Sequence, residues 1–311
     1  MTLAILRRHI NPLESPLYCL PPDLFPEIFS HLTNETDLVN ATHVSYHLRN
    51  TLLSHPSLWS CLDFKHEMRA CMFFKLSGQT LLYIDMAKDT TRTVASLPKL
   101  RQQSKHIAAL KLRLWSVQRM FLSEPLPSLR RLKIFYDYDY DDNWEDAWDT
   151  KWALVWGPTE EVTSWSFPSL KSLIVHCFIP IQFSTPRLTC FKFWDSESSN
   201  TAKLLSFLNN CPLLEHIYIS YLTGRNKGNH DLVVSLPNLH TYTQTTHNGM
   251  CPLTVFNRLS LPSFCSITLR FQICNRKATE TDVLPRFKNP DYLSEIKQVK
   301  LKTTYDANIY I

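Results

Sequence analysis

The chain has 311 residues, 44% hydrophobic and 20% charged, enough for a well-filled core, because at this size about three quarters of the unfolded surface is buried on folding. Five glycines stand against nineteen prolines, where average usage would give roughly 22 and 16, and Gly78, Gly157, Gly224, Gly228 and Gly249 can write neither common phosphate loop. Thirty-three basic and twenty-eight acidic residues leave a mild +5, short of the concentrated charge of a nucleic-acid binder.

That average conceals an imbalance. Residues 137–149 hold seven acids and no base, so the remaining 33 basic and 21 acidic residues carry +12. Nine cysteines without a Cys-x-x-Cys pair read as packing thiols, with neither a disulfide framework nor a metal site. With no apolar run of ~18 residues and no signal-peptide core before Arg7 and Arg8, the expected setting is cytoplasm or nucleus, without a membrane partner.

The first predicted element follows Leu20-Pro21-Pro22-Asp23, a helix start rich in proline and acid. Leu24, Ile28 and Leu32 recur at four-residue spacing, and Phe25 and Phe29 make a second stripe beside them. An apolar face of that width is broader than a surface helix needs and predicts burial on two sides. After the polar stretch 34–37, Leu38 and Ala41 open a second helix. Val44, Leu48 and Leu52 continue at four-residue spacing until Pro56, Leu58 and Trp59 close the unit.

Leu20-Pro21, Leu24, Ile28-Phe29, Leu32, Asp37-Leu38, Val44-Ser45, Leu48-Arg49, Pro56, Leu58-Trp59 and Leu62-Asp63 together resemble an F-box in order and spacing. Two departures are His43, where a smaller or apolar residue is usual, and Tyr46-His47 in place of a basic-aromatic pair. The resemblance implies a three-helix unit over residues 17–62, after a tail at 1–16, that docks on the Skp-type adaptor of a cullin-RING ubiquitin ligase. It implies adaptor contacts at Leu20, Pro21, Leu24, Ile28, Val44 and Leu48, each of which could instead be internal core. So small a unit has little core of its own.

Beyond residue 75 an anchor recurs, most often proline, with apolar residues at +2, +5 and +7. Pro127 leads Leu129, Leu132 and Ile134; Pro168 leads Leu170, Leu173 and Val175; Pro186 leads Leu188, Phe191 and Phe193; Pro212 leads Leu214, Ile217 and Ile219. Pro237 leads Leu239 and Tyr242, with Gln244 as the exception, and Pro262 leads Phe264, Ile267 and Leu269. Relaxing the proline adds units around Leu82-Ile84, Ile107-Leu110-Leu112 and Ile296-Val299-Leu301. A strand at each +5/+7 pair with this period resembles a degenerate leucine-rich repeat, in which no unit buries its face alone. The expected fold is therefore an F-box followed, over 63–311, by about nine units of an irregular solenoid with a parallel concave sheet. Residues 200–211 read as a capped helix between units.

No catalytic constellation can be assembled. His43 and His47 have metalloprotease spacing, but Val44 occupies the place of the glutamate base; His247 and Cys251 lack a third ligand. Neither a cofactor nor an enzyme activity is expected. The residues expected to face a target are the strand positions Arg131, Lys133, Lys192 and Tyr218. Tyr138, Trp144 and Trp148 join them from an acidic aromatic insertion at 135–150, whose residue types suit binding hot spots. The expected function is a non-catalytic receptor presenting an unidentified protein for ubiquitination; a stand-alone repeat scaffold is the alternative.

Overall fold

A computed structural model describes residues 20–21, 23–32, 35–86, 97–113, 125–135, 165–176, 183–194, 201–220, 232–247, 255–272 and 299–304. The chain divides into two compact units, residues 1–85 and 86–311. Tyr138, Trp144, Trp148 and the insertion at 136–150 lie outside the described residues, as does Cys251.

In the first unit, α1 (Leu24–Ser30), α2 (Glu35–Val44) and α3 (Tyr46–Leu53) precede a single 3-10 turn, Pro56–Trp59. After β1 (Cys61–Asp63) and a second such turn, Phe64–His66, comes α4 (Glu67–Ser77), and β2 (Leu82–Met86) then pairs with β1 in parallel. Gly78 ends α4 at φ 57°, a conformation that disfavours residues with a Cβ.

The four-residue spacing of Val44, Leu48 and Leu52 runs across Ser45, yet the structure divides the helix there, giving with α1 the three helices that the F-box resemblance implies. Ser45 is extended (φ −153°, ψ 160°), and its hydroxyl accepts from the Leu48 N–H, at 3.1 Å. A serine that satisfies an orphan amide starts a new helix at that position. The open end of α2 is answered by Arg49, whose Nε donates to the Thr42 carbonyl at 2.9 Å.

Phe25, Leu38, Leu48, Leu52 and Trp59 form the buried interior of this unit. Trp59 donates its indole N–H to the Leu52 carbonyl at 2.9 Å and meets Phe73 edge-on at 4.9 Å. The hydrogen bond lets its polar atom be buried without loss.

The second unit opens with α5 (Leu97–Gln102). Its parallel sheet follows chain order through β3 (Ile107–Arg113), β4 (Arg131–Phe135), β6 (Ser172–His176), β8 (Cys190–Trp194), β9 (His216–Ser220), β11 (Thr241–His247), β13 (Ser266–Gln272) and β14 (Val299–Thr304). Two short parallel ladders stand apart, β5 (Trp165–Ser166) with β7 (Phe183–Ser184) and β10 (Val234–Ser235) with β12 (Leu259–Ser260). The predicted helix is α6 (Thr201–Asn209), with Leu204, Leu205, Phe207 and Leu208 buried.

The proline spacing has a direct structural meaning. The N–H of Leu129, Leu170, Leu188, Leu214 and Leu239 bonds to the carbonyl of Leu126, Phe167, Thr185, Cys211 and Leu236, respectively. Each is a four-residue turn with proline at its second position, where a fixed φ suits it. The residue before each of these prolines and the leucine two after it are buried, so every turn is pinned at both ends. The +5 and +7 residues then enter the core from one face of the strand, as period-two alternation requires.

Two positions depart from the pattern. Phe264, expected inside, is 54% exposed, while Cys265 is buried at 3%. In that unit the turn closes from the Cys265 N–H to the Pro262 carbonyl, one residue later than in the others, so Cys265 takes the inward place. Gln244 is buried despite its polarity; its Oε1 accepts from the Tyr242 hydroxyl at 2.7 Å.

Candidate binding surfaces

Both candidate surfaces are built from side chains that the regular elements leave outside. On α1, Phe25 turns inward, stacked on Phe29 at 6.2 Å and edge-on to His47 at 6.1 Å. Leu24, Ile28 and Leu32 are left 45%, 42% and 38% exposed. Two aliphatic side chains on a helix packed by its other face, with Leu32 just past its end, make an exposed apolar stripe among the described residues. Leu20 is half-buried and Pro21 exposed just before that row.

The break at Ser45 separates Val44 from Leu48. Val44 ends α2 and is 70% exposed, whereas Leu48 lies in α3 and is 4% exposed. Leu48 therefore corrects the expected contact set: a side chain enclosed by its own unit offers a partner no surface. The same break puts His43 and His47 on different helices, so their spacing is not that of one helix face; His43 Nδ1 lies 3.3 Å from Arg49 Nη2, and His47 packs on Phe25.

The carboxyl of Glu35 at the start of α2 accepts from the Asp63 N–H at 3.0 Å. Its pKa is raised, first by burial and then by the neighbouring Asp63 charge, against the lowering effect of that hydrogen bond and of Arg69. This is a structural tie between α2 and β1.

In the second unit the outward side chains of the sheet fall into rows set by the strand register. One row runs Arg131, Ser172, Cys190, His216 and Thr241; the next runs Lys111, Lys133, Ile174, Lys192 and Tyr218. Arg131 and Lys192 are exposed and Lys133 and Tyr218 half-buried, so the four expected strand residues share one side of one sheet.

A third row, two residues further along each strand, lies outside the set expected from the sequence. Phe135 and His176 lie 4.6 Å apart, His176 stacks on Trp194 at 4.4 Å and 10°, and Trp194 reaches Tyr218 at 5.3 Å. Ser220 opposes Trp194 on the next strand, and a residue that small lets the indole lean diagonally toward Tyr218. Lys133 and Lys111 place their ammonium groups 4.4 and 5.4 Å from the Phe135 ring centre, within cation–π range. Burial, helped by the Lys133 charge, lowers the His176 pKa to about 4, so its ring is neutral at physiological pH. A +8 position would have completed the sequence pattern, since Phe135, His176 and Trp194 all stand eight residues after an anchoring proline.

The thiols carry no comparable site. Burial pushes Cys211 and Cys265 up to about 11, which keeps them protonated and unreactive, and Cys61, Cys71 and Cys190 are in no disulfide. Among the described residues no group of three or more His, Cys, Asp or Glu is placed to hold a metal ion.

No curated protein matches the chain. A family model described as F-box-like matches residues 17–65, the span that contains α1, α2, α3, the Pro56–Trp59 turn and β1. The amino-terminal part of this chain is thus an F-box-like domain, followed by a large parallel sheet.

Proposed function

We propose that this chain is a non-catalytic adaptor of a cullin-RING ubiquitin ligase. Its F-box-like domain binds a Skp-type adaptor, and its carboxy-terminal unit holds a target protein for ubiquitination. The observation that carries the reading is the exposed row of Leu24 and Ile28 on α1 and Leu32 just past its end, inside the span that matches the F-box-like family. The proline-anchored strands support a degenerate leucine-rich-repeat solenoid as the target-holding part, because each unit covers its neighbour and leaves one broad side of the sheet outside. Such a protein contributes to ubiquitin transfer by positioning alone, raising the local concentration of target lysines near a conjugating enzyme on another subunit. Cytoplasm or nucleus is the compartment in which it would act.

The test is a pull-down of the full chain with a purified Skp-type adaptor. Wild type is expected to bind, and Leu24→Asp and Ile28→Asp to lose at least about tenfold in affinity, since a charge desolvated in an apolar contact costs several kcal/mol. Both side chains are exposed, so thermal unfolding of the variants should be unchanged. Failure of the wild type to bind would leave the chain a stand-alone scaffold.

A further inference from the structure

The outward side of the sheet in the second unit combines two properties. The first is charge. Lys111, Arg131, Lys133 and Lys192 stand on the outward side of β3, β4 and β8. The second is the aromatic row Phe135, His176, Trp194 and Tyr218, half-buried and held at the successive 4.4–5.3 Å contacts described above.

The arrangement of the rings selects among anionic partners. His176 and Trp194 are nearly parallel at 4.4 Å, so they spend their faces on each other and leave no slot into which a nucleobase could stack, which is how aromatic platforms hold single strands. Ring edges, unlike faces, carry partial positive charge and suit carboxylate oxygens. Adjacent strands are ~4.8 Å apart, so the backbones of Lys133 and Lys192, two strands apart in one row, are ~9.6 Å apart, and their long side chains can converge on same-side carboxylates ~6.6 Å apart along an extended peptide.

We propose that the row Phe135-His176-Trp194-Tyr218 with Lys111, Lys133 and Lys192 is a docking strip for an acidic peptide segment of the target protein. The inference rests on the reading of this unit as the target-holding part, and it names the chemistry that part recognises. The peptide lies across the strands, its carboxylates on the lysines and along the edges of Trp194 and Tyr218. His176, neutral at physiological pH, supports the Trp194 ring as a positioning residue and brings no charge of its own.

The experiment is fluorescence anisotropy with the full chain and a fluorescein-labelled peptide of six Asp-Tyr pairs, beside Ser-Tyr and Lys-Tyr peptides of equal length and a twelve-nucleotide single-stranded RNA. The Asp-Tyr peptide is expected to bind at least about tenfold more tightly than any of the others and to weaken with added salt. Lys192→Glu and Trp194→Ala are each expected to lose about tenfold, and Trp194→Phe to retain most of the affinity. Lys192 is exposed, so Lys192→Glu keeps its melting temperature and reports binding alone. Equal binding of the Ser-Tyr peptide, tighter binding of the RNA, or wild-type affinity in Lys192→Glu would overturn the proposal. Adaptor capture on the same preparation separates the two readings: adaptor bound but acidic peptide ignored ends this inference alone, while peptide bound without adaptor ends the ligase assignment.

Discussion

Gln244 shows how one polar residue can sit inside an apolar stack. It occupies a +7 position, is 1% exposed, and accepts from the buried Tyr242 hydroxyl at 2.7 Å; its own Nε2 is buried without a hydrogen-bond partner. Truncating one member of a buried pair strands the other, at about 1–3 kcal/mol, whereas replacing both with apolar groups of similar shape is nearly neutral. Tyr242→Phe and Gln244→Leu should therefore each lower stability by roughly that amount, and the double variant should recover most of it. Urea unfolding of the four proteins measures the coupling; additive losses would show that the pair does not act as a unit.

His176 makes the matching case for a titratable group. With its pKa lowered to about 4 from the ordinary 6.5 by burial and by Lys133, the folded chain binds fewer protons than the unfolded chain between those values. Stability then rises with pH across that window: it is fully present above pH 6.5 and lost as pH falls toward 4. His176→Gln should flatten this part of the curve of melting temperature against pH, and an unchanged slope would place the acid sensitivity elsewhere.

At the scale of elements, the two informative sites are starts. Ser45 divides what periodicity alone reads as one helix, and that division exposes Val44 while enclosing Leu48. Ser45→Ala should cost about 1 kcal/mol, the usual worth of an N-cap; chemical denaturation would show it as a lower midpoint with unchanged slope. The cap was visible in the sequence, but four-residue spacing that runs unbroken across Ser45 outweighed a single serine. The turns of the second unit were more legible. Proline at the second turn position and leucine two residues on are local requirements, and the strand follows from alternation after them. The short ladders β5–β7 and β10–β12 were also written in the chain, as a bulky residue and a serine three and two positions before Pro168, Pro186, Pro237 and Pro262. Spacing does not reveal them, because two-residue strands show no period of their own. The slipped turn at Pro262 was not legible, since Phe264 is as apolar as the leucines it aligns with; only the competition between Phe264 and Cys265 for one inward place settled it.

At the scale of the molecule, an F-box-like domain and a parallel sheet are joined in one chain, and their legibility differs for a physical reason. Where a residue's neighbours are near in sequence, pattern suffices: the amino-terminal helices, the proline turns, the inward +5 and +7 positions and the F-box-like span could all be read from spacing and composition. Scarce glycine excluded the common phosphate loops at the outset. Where the neighbours are distant, pattern fails. Which apolar residues of α1 stay outside depended on what packs its other face, and the row of Phe135, His176, Trp194 and Tyr218 joins side chains 18 to 41 residues apart in the chain that meet only through strand register. Sequence alone determined that strands would form and which side of each would be buried, because alternation is a local property of the backbone. Only the tertiary structure decided which side chains stand together on the other side, because registry between strands is set by the packing of the whole stack.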